Sequence, residues 1–559
     1  MFKPRDYQIE NVQSIIDKFH HSDRLLYQLS TGGGKTYITT ILSKSVTNEK
    51  YPNLFKGKKV LFLCHRDKLL RQTIKSMNNV GLTCESITRK VKKLNHHADI
   101  YVGMIETVSN RLKKNPYFFK NVGLVVCDEC HILIFNKIFD YFKGVKILGC
   151  TATPVVLKRE TFYRCHRCMS DYDYEGECCG IETDEYSKPF AMSQIYDDIV
   201  IGPSIDWLIE QGYLVREISF VENYTDNSNL KTDKDGEFTT KSIDETYGSG
   251  SAVFNVILNY EKLCAGKKTM IFNSSTKVNK KIYEKFLESG YENVRMYDSV
   301  NKEESGDQDE VITWFENTPG SVLLNCGVFT TGTDVVDIEA IILNRPTNSL
   351  SLYLQMVGRG GRITDKIFKD SFIVIDGGGN IDRHLEWSDP TRDWERIFWD
   401  GMGEERQKVT NVMDVQDCEE CGALFPKGLK ECPECGHEME RKKEKAPKVL
   451  SDEVLEPIRK IPPPNAEKIY QYTIKREENI NFAFKILIGK IVDMFIFYRV
   501  TKESYLSAKQ SGELRKKVDN MLYKNYFVLI RKQDIKSGSN RTLEYLRNKV
   551  YEKLEKYYL

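Results

Sequence analysis

Apolar residues in this chain come in short continuous runs, separated by stretches in which they recur every three or four positions. KVLFLC (59–64), VGLVVC (122–127), VKILGC (145–150), TMIFN (269–273), SVLLN (321–325), AIIL (340–343) and FIVID (372–376) read as strands buried on both faces, since only a strand covered on both sides can dispense with polar alternation. Helical periodicity between most of them predicts crossover connections and hence parallel pairing. The runs form two clusters, parted by the polar stretch ENYTDNSNLKTDKDGEFTTKSIDETYGSGS, which has the composition of a loop or linker. The expected class is α/β, with two consecutive parallel-sheet domains over 1–220 and 251–400 and a linker over 221–250. The most hydrophobic run, FAFKILIGKIVDMFIFYRV (482–500), holds Lys485, Lys490, Asp493 and Arg499, which predicts a buried helix and no membrane span.

At 559 residues there is room for about three or four domains. The opening MFKPRDYQIENVQSII carries charges where a signal peptide would be apolar, so a cytoplasmic protein is expected. Charge changes the picture more. The net +2 conceals 27 Lys and Arg against 15 Asp and Glu in residues 441–559, or +12, which leaves −10 for the rest. A basic terminal region on an acidic body points to a nucleic-acid partner, with a solvated lysine-rich surface as the plain alternative. Fifteen cysteines, several in CxxC pairs, favour metal ligation and free thiols over disulfides.

Candidate chemistry begins at STGGGKT (30–36), between the apolar RLLYQL and a helix-like YITTILSK. Adjacent glycines leave backbone N–H groups free to converge on phosphate, and Lys35 adds a point charge. Gly34-Lys35-Thr36 fits the end of a Walker A loop, although Leu29 stands where the full pattern has a first glycine. DECH follows the run VGLVVC. An acid at a strand's carboxyl end can hold Mg²⁺ and its neighbour can orient the attacking water, roles that suit Asp128 and Glu129.

These motifs recur in the order of superfamily 2 helicases of the DEAD/H-box type, which the chain resembles over about residues 1–380. Arg5-Asp-Tyr-Gln8 is similar to the adenine-reading motif, STGGGKT to motif I, CHRDKLLRQ (64–72) to motif Ia, VGMIETVSN (102–110) to motif Ib, DECH to motif II and TATP (151–154) to motif III. IFNSS (271–275) is similar to motif IV, TTGTDVVD (330–337) to motif V and QMVGRGGR (355–362) to motif VI. YDDIVIGPSIDWLIEQGYLV (196–215) and VIDGGGN look most like bacteriophage and bacterial branch-migration or repair helicases. The family often lacks the first Walker A glycine, which removes the objection of Leu29.

The resemblance implies two tandem RecA-like motor domains that bind ATP and Mg²⁺. Thr31, Gly32, Gly33, Gly34 and Lys35 would hold the phosphates, Thr36 and Asp128 the Mg²⁺, and Glu129 the attacking water, while Arg5 and Gln8 would read the adenine edge. Arg359 and Arg362 would act as arginine fingers with Gln355 nearby, and Gly332 and Asp334 of motif V would also face the nucleotide. Thr151 and Thr153 would couple the site to the strand. His65, Arg66, Gln72, Thr107, Ser274, Thr330 and Thr331 would contact nucleic-acid phosphates, giving sequence-independent binding. The function implied is an ATP-dependent helicase or translocase acting on single-stranded, forked or branched DNA in replication, recombination or repair. An RNA helicase or the motor of a restriction system stands as the alternative, and a scaffold without catalysis disagrees with the intact Lys35, Asp128, Glu129, Arg359 and Arg362.

Two cysteine clusters lie outside this pattern. Cys418-x2-Cys421 and Cys432-x2-Cys435, ten residues apart and each followed by glycine, have the spacing of a Zn²⁺ ribbon, expected over 411–440. Cys165-x2-Cys168 with Cys178 and Cys179 is less regular and reads either as a second zinc site in an insertion over 161–188 or as unligated thiols. A charged, Pro-rich linker over 441–465 then leads to a basic helical accessory region over 466–559, whose aromatics read as a core stripe or as stacking platforms.

Overall fold

The computed structural model describes residues 4–402, apart from 166–167, 169–170, 173–176, 179–180, 183, 223–226, 234–235, 299–305, 330–334, 336 and 365–366. Beyond 402 it describes 415–417, 424–426, 465–466, 468–469, 480–497, 509–510, 512–532 and 540–558.

The first sheet is built from β1 (Arg24–Gln28), β2 (Lys59–Cys64), β3 (Cys84–Ile87), β4 (Ile100–Met104), β5 (Val122–Asp128), β6 (Lys146–Thr151) and β7 (Asp198–Ile201). These strands are parallel and lie in the order β7-β1-β6-β5-β2-β4-β3. Side chains alternate across the sheet. Val60 and Phe62 of β2 face the core that contains Ile38 and Leu42 of helix Lys35–Thr47. Leu61 and Leu63 face the opposite core, with Ile105 of helix Ile105–Lys114 and Ile138. Each such side chain contributes about 1.5–3 kcal/mol on burial.

The second sheet has β8 (Arg216–Val221), β9 (Thr269–Asn273), β10 (Val294–Asp298), β11 (Val322–Cys326), β12 (Ala340–Asn344) and β13 (Ser371–Asp376). They are also parallel, in the order β8-β13-β12-β9-β11-β10. The two sheets are RecA-like α/β layers. The apolar cluster under the first runs unbroken into the second, joining Ile38 and Leu42 to Leu214, Met270, Phe272 and Val357.

The strands expected from sequence are all interior ones. The four edge strands, β3, β7, β8 and β10, escaped that reading because they carry polar residues such as Glu85, Asp198, Glu217 and Arg295; edge strands tolerate and often need such residues. The expected boundary also shifts. The chain enters the second sheet at Arg216, not after 220, so that only Gln211–Val215 link helix Ile205–Glu210 to β8. Part of the expected 221–250 linker belongs to the second domain. Helix Thr240–Tyr247 buries Ile243 and Tyr247 in its core, and the Tyr247 hydroxyl donates to Gly377 O at 3.1 Å.

Between β6 and β7 an antiparallel ribbon emerges. Arg159–Arg164 pairs with Asp184–Pro189 and with Asp171–Tyr172, and Glu177–Cys178 pairs with Ile181–Glu182. Cys165 is buried and Cys168 exposed. The backbone of Cys178 lies in the second pair, while Cys179 is outside the described residues. All four cysteines of the expected 411–440 ribbon, Cys418, Cys421, Cys432 and Cys435, likewise lie outside them. The short strands Val415–Asp417 and Leu424–Pro426 that bracket the first knuckle pair antiparallel. Among the described residues no group of three or more His, Cys, Asp and Glu forms a metal cluster.

Near the C-terminus, helices Ile480–Phe497, Glu513–Lys532 and Asn540–Tyr558 pack around Leu487, Ile491, Leu522, Leu546 and Leu554. Their apolar stripe is core packing, and no described helix is long and apolar enough to cross a membrane. The bundle rests on the second motor domain through a Lys490–Asp370 ion pair and through Phe368, which packs against the bundle core.

Candidate active site

The first sheet delivers its residues at the carboxyl ends of its strands, where open α/β sheets bind ligands, whereas the second sheet presents the GRGGR loop beside the amino ends of β8 and β13. The loop after β1 opens helix Lys35–Thr47, whose N-cap is Gly34 at φ 91°. A Cβ at Gly34 would sit 2.6 Å from the Gln8 amide in an unfavourable backbone conformation, so glycine is required there. Tyr7 donates from its hydroxyl to Gly33 O at 2.5 Å, which fixes the loop from below. Lys35 folds back, donating to Leu29 O at 2.9 Å. Two residues expected to read adenine, Arg5 and Gln8, are joined by an Arg5 N–H to Gln8 Oε1 hydrogen bond of 3.0 Å.

Asp128 ends β5, and Glu129 follows with φ +54°, a left-handed conformation that non-glycine residues rarely adopt and that recurs at functional sites. Glu129 is thereby turned toward the second domain. Its Oε2 accepts from Gln355 Nε2 at 3.4 Å, and it lies 3.4 Å from His131 Nδ1. His131 extends the link, with Nδ1 2.9 Å from Thr151 Oγ1 and Nε2 3.3 Å from Ser351 Oγ across the cleft. Thr151 in turn donates to Thr153 O at 2.9 Å. Thr151 thus reaches Glu129 through His131, a histidine to which the motif pattern assigns no role.

A cavity of about 680 Å³ gathers Arg5, Thr31, Gly32, Gly34, Lys35, Thr36, Asp128 and Glu129 from the first domain with Gln355, Arg359 and Arg362 from the second. Burial, followed by the charge of Glu129, raises the Asp128 carboxyl above the usual carboxylate range, against the pull of Lys35. Two adjacent half-buried carboxylates favour a cation beside them. The hard oxygen donors of Asp128 and Thr36 match Mg²⁺, whose charge would stabilise phosphate oxygens. A larger hollow, about 830 Å³, lies in the C-terminal bundle around Lys509, Tyr545 and Glu555 and contains none of these residues.

Sequence reasoning missed the segment between the sheets. Tyr213 and Leu214 line the cavity. The Arg5 guanidinium lies 3.9 Å over the Tyr213 ring, which packs with Tyr7 and Trp207. Leu214 bridges to Arg362, and Val215 N–H donates to Gly361 O at 2.9 Å, so this crossing segment joins the GRGGR loop to the cavity wall. The segment fell within the stretch 196–215 that carries the resemblance, but no residue pattern there pointed to the cavity.

The residues expected to contact nucleic acid divide. Gln72 lines the cleft cavity. Both ring nitrogens of His65 are buried, and burial followed by the Arg66 charge lowers its pKa to about 4 in a field that includes Glu129 and His131. The Arg66 guanidinium also feels Glu129, with burial lowering its pKa. His65 thus lies close to the acidic pair, while the Arg66 side chain stays exposed to solvent. Thr107 and Ser274 lie elsewhere, half-buried after β4 and β9. Thr330, Thr331, Gly332 and Asp334 lie outside the described residues.

Two parallel-sheet domains clasping a glycine-lysine loop, an acidic pair and two arginines define a nucleotide-driven motor of the superfamily 2 helicase type, a nucleic-acid-dependent ATPase. Residues 1–156 match the family described as type III restriction enzyme, res subunit, and residues 253–364 match the helicase conserved C-terminal domain. The chain is 27% identical over 426 residues to a 51.5 kDa protein of a Lactococcus phage, covering 75% of this chain and 80% of that one. It is 27% identical over 386 residues to a candidate ATP-dependent helicase, IRC3, of Saccharomyces cerevisiae, covering 66% of this chain but only 51% of the yeast protein. A fragment of a candidate HsdR subunit of a type I restriction enzyme from Vibrio vulnificus shares the fold, with a TM-score of 0.50 at 19% identity over 72% of this chain and 68% of the fragment.

Proposed function

We propose that this protein is an ATP-driven DNA translocase or helicase that remodels single-stranded, forked or branched DNA. The carrying observation is the cleft cavity, in which Lys35, Asp128 and Glu129 of one domain meet Gln355, Arg359 and Arg362 of the other. In this reading Thr31, the three glycines and Lys35 hold the phosphates, Thr36 and Asp128 hold Mg²⁺, and Glu129 orients the attacking water. Arg359 and Arg362 meet the charge that develops on the transferring phosphoryl group. Because the site needs both domains, each hydrolysis cycle opens and closes the cleft and can step a bound strand.

The likeness to restriction-enzyme motors favours DNA over RNA. The phage relative and the segment 196–215 favour a role in phage-type replication, recombination or repair. Two zinc sites complete the reading, one at Cys418, Cys421, Cys432 and Cys435, the other at Cys165, Cys168, Cys178 and Cys179. The test is steady-state ATP hydrolysis with single-stranded DNA, forked DNA, Holliday junctions and RNA. Stimulation by DNA, greatest with forks or junctions, is expected; stimulation by RNA alone overturns the DNA assignment.

A further inference from the structure

In the second domain one lysine ties the GRGGR loop to the end of the TTGTDVVD segment. Lys369 is 9% exposed, and its Nζ donates to Gly360 O at 2.7 Å and to Ile338 O at 2.9 Å. Gly360 lies between Arg359 and Arg362, and Ile338 follows Asp337. Asp337 is itself buried, at φ +65°, and accepts a hydrogen bond from the hydroxyl of Thr364. The charged groups bearing on the ammonium are Asp337, Glu339 and, opposing, Arg362. The loop has little freedom on its other side, because a Cβ at Gly360 would come within 2.2 Å of the Phe372 ring.

The residues on either side of Lys369 face a different neighbour. Asp370 pairs with Lys490 of the C-terminal bundle. Phe368 packs against the bundle core, with Lys490 Nζ 5.7 Å from its ring centre. Three consecutive residues therefore point two ways, the outer two to the bundle and the middle one to the arginine loop.

We propose that Lys369 is a positioning residue for Arg359 and Arg362, and that the C-terminal bundle, by clasping Phe368 and Asp370, sets the position of Lys369 and so regulates the motor from within the chain. This rests on the motor reading above. A shift of the 368–370 segment would move the Gly360 carbonyl and the guanidinium groups beside it. Displacements of about 1 Å at such groups cost up to about a hundredfold in rate.

The test uses the full-length chain. Lys490→Glu sets like charges against Asp370 and is expected to lower DNA-stimulated kcat about tenfold while changing KM for ATP less than about twofold. Combining it with Asp370→Lys reverses the pair and should restore the rate. Lys369→Met should lower kcat at least as far, again with little change in KM. A stimulated rate unchanged in Lys490→Glu, or lowered but not restored by the swap, overturns the proposal. A wild-type protein that hydrolyses ATP with no response to any nucleic acid would overturn the motor reading itself, and this inference with it.

Discussion

Glu129 shows how much of the chemistry rests on single residues. Its left-handed backbone and its contacts with Gln355 and His131 aim one carboxylate across the cleft. Glu129→Gln keeps the shape and removes the charge, and Lys35→Ala removes the proposed phosphate contact; both should reduce DNA-stimulated hydrolysis by several orders of magnitude while DNA binding persists. Substantial turnover in either variant would contradict the assigned roles. Arg362→Ala should lower kcat more than it weakens ATP binding, since a finger acts mostly in the transition state. A quieter residue predicts pH dependence. His384 is buried, stacks on Tyr353 and lies 2.9 Å from Thr347 O, and burial holds its pKa down at about 4. A histidine depressed in the folded state gives stability that is complete above about 6.5 and is lost as pH falls toward 4, on the order of 3 kcal/mol. Denaturant melts of wild type and His384→Asn between pH 7 and 4.5 should show the steeper decline in wild type; parallel curves would assign the acid sensitivity elsewhere.

Among the elements, the crossing segment Gln211–Val215 shapes the cleft cavity although it carries no motif. The stack of Arg5 on Tyr213 is worth about 0.5–2 kcal/mol. Tyr213→Ala should therefore raise KM for ATP about two- to thirtyfold, and Tyr213→Phe should leave it near wild type. An equal effect of both substitutions would implicate the hydroxyl instead of the ring. The cysteine elements call for metal analysis. Purified without chelators, the protein should carry about two zinc ions, and Cys432→Ser should lose one. A single ion in wild type would restrict zinc to the 418–435 ribbon, and none would remove both sites. Seven interior strands were readable as apolar runs because they are covered on both faces, while interior β1 and β4 were not named as strands. Edge strands were not, because β8 carries Arg216, Glu217 and Ser219 within six residues.

At the scale of the whole molecule the basic C-terminal region has two claims on it. Its core packs on the second domain, while Arg515, Lys516, Lys517 and Lys524 are exposed on its surface. Ending the chain near 445 is expected to lower the melting temperature, because Phe368 loses its cover. It should also flatten the salt dependence of DNA binding, by about 0.7–0.9 in log–log slope for each phosphate no longer neutralised by a lysine or arginine. A lower melting temperature with an unchanged slope would leave the bundle a purely structural and regulatory role.

The sequence alone determined the α/β class, the two clusters of strands and the order of the motifs, because burial on two faces and phosphate chemistry each impose a local pattern on neighbouring residues. Lys35, Asp128, Glu129, Arg359 and Arg362 were legible for that reason. Only the tertiary structure decided that His131 bridges Thr151 to Ser351, that Tyr213 walls the cleft cavity, that Gln72 belongs to that cavity, and that Lys369 holds Gly360. The hydrogen bonds among these join residues 9 to 220 positions apart, and their side chains are common types with no spacing of their own. Packing alone brings them together.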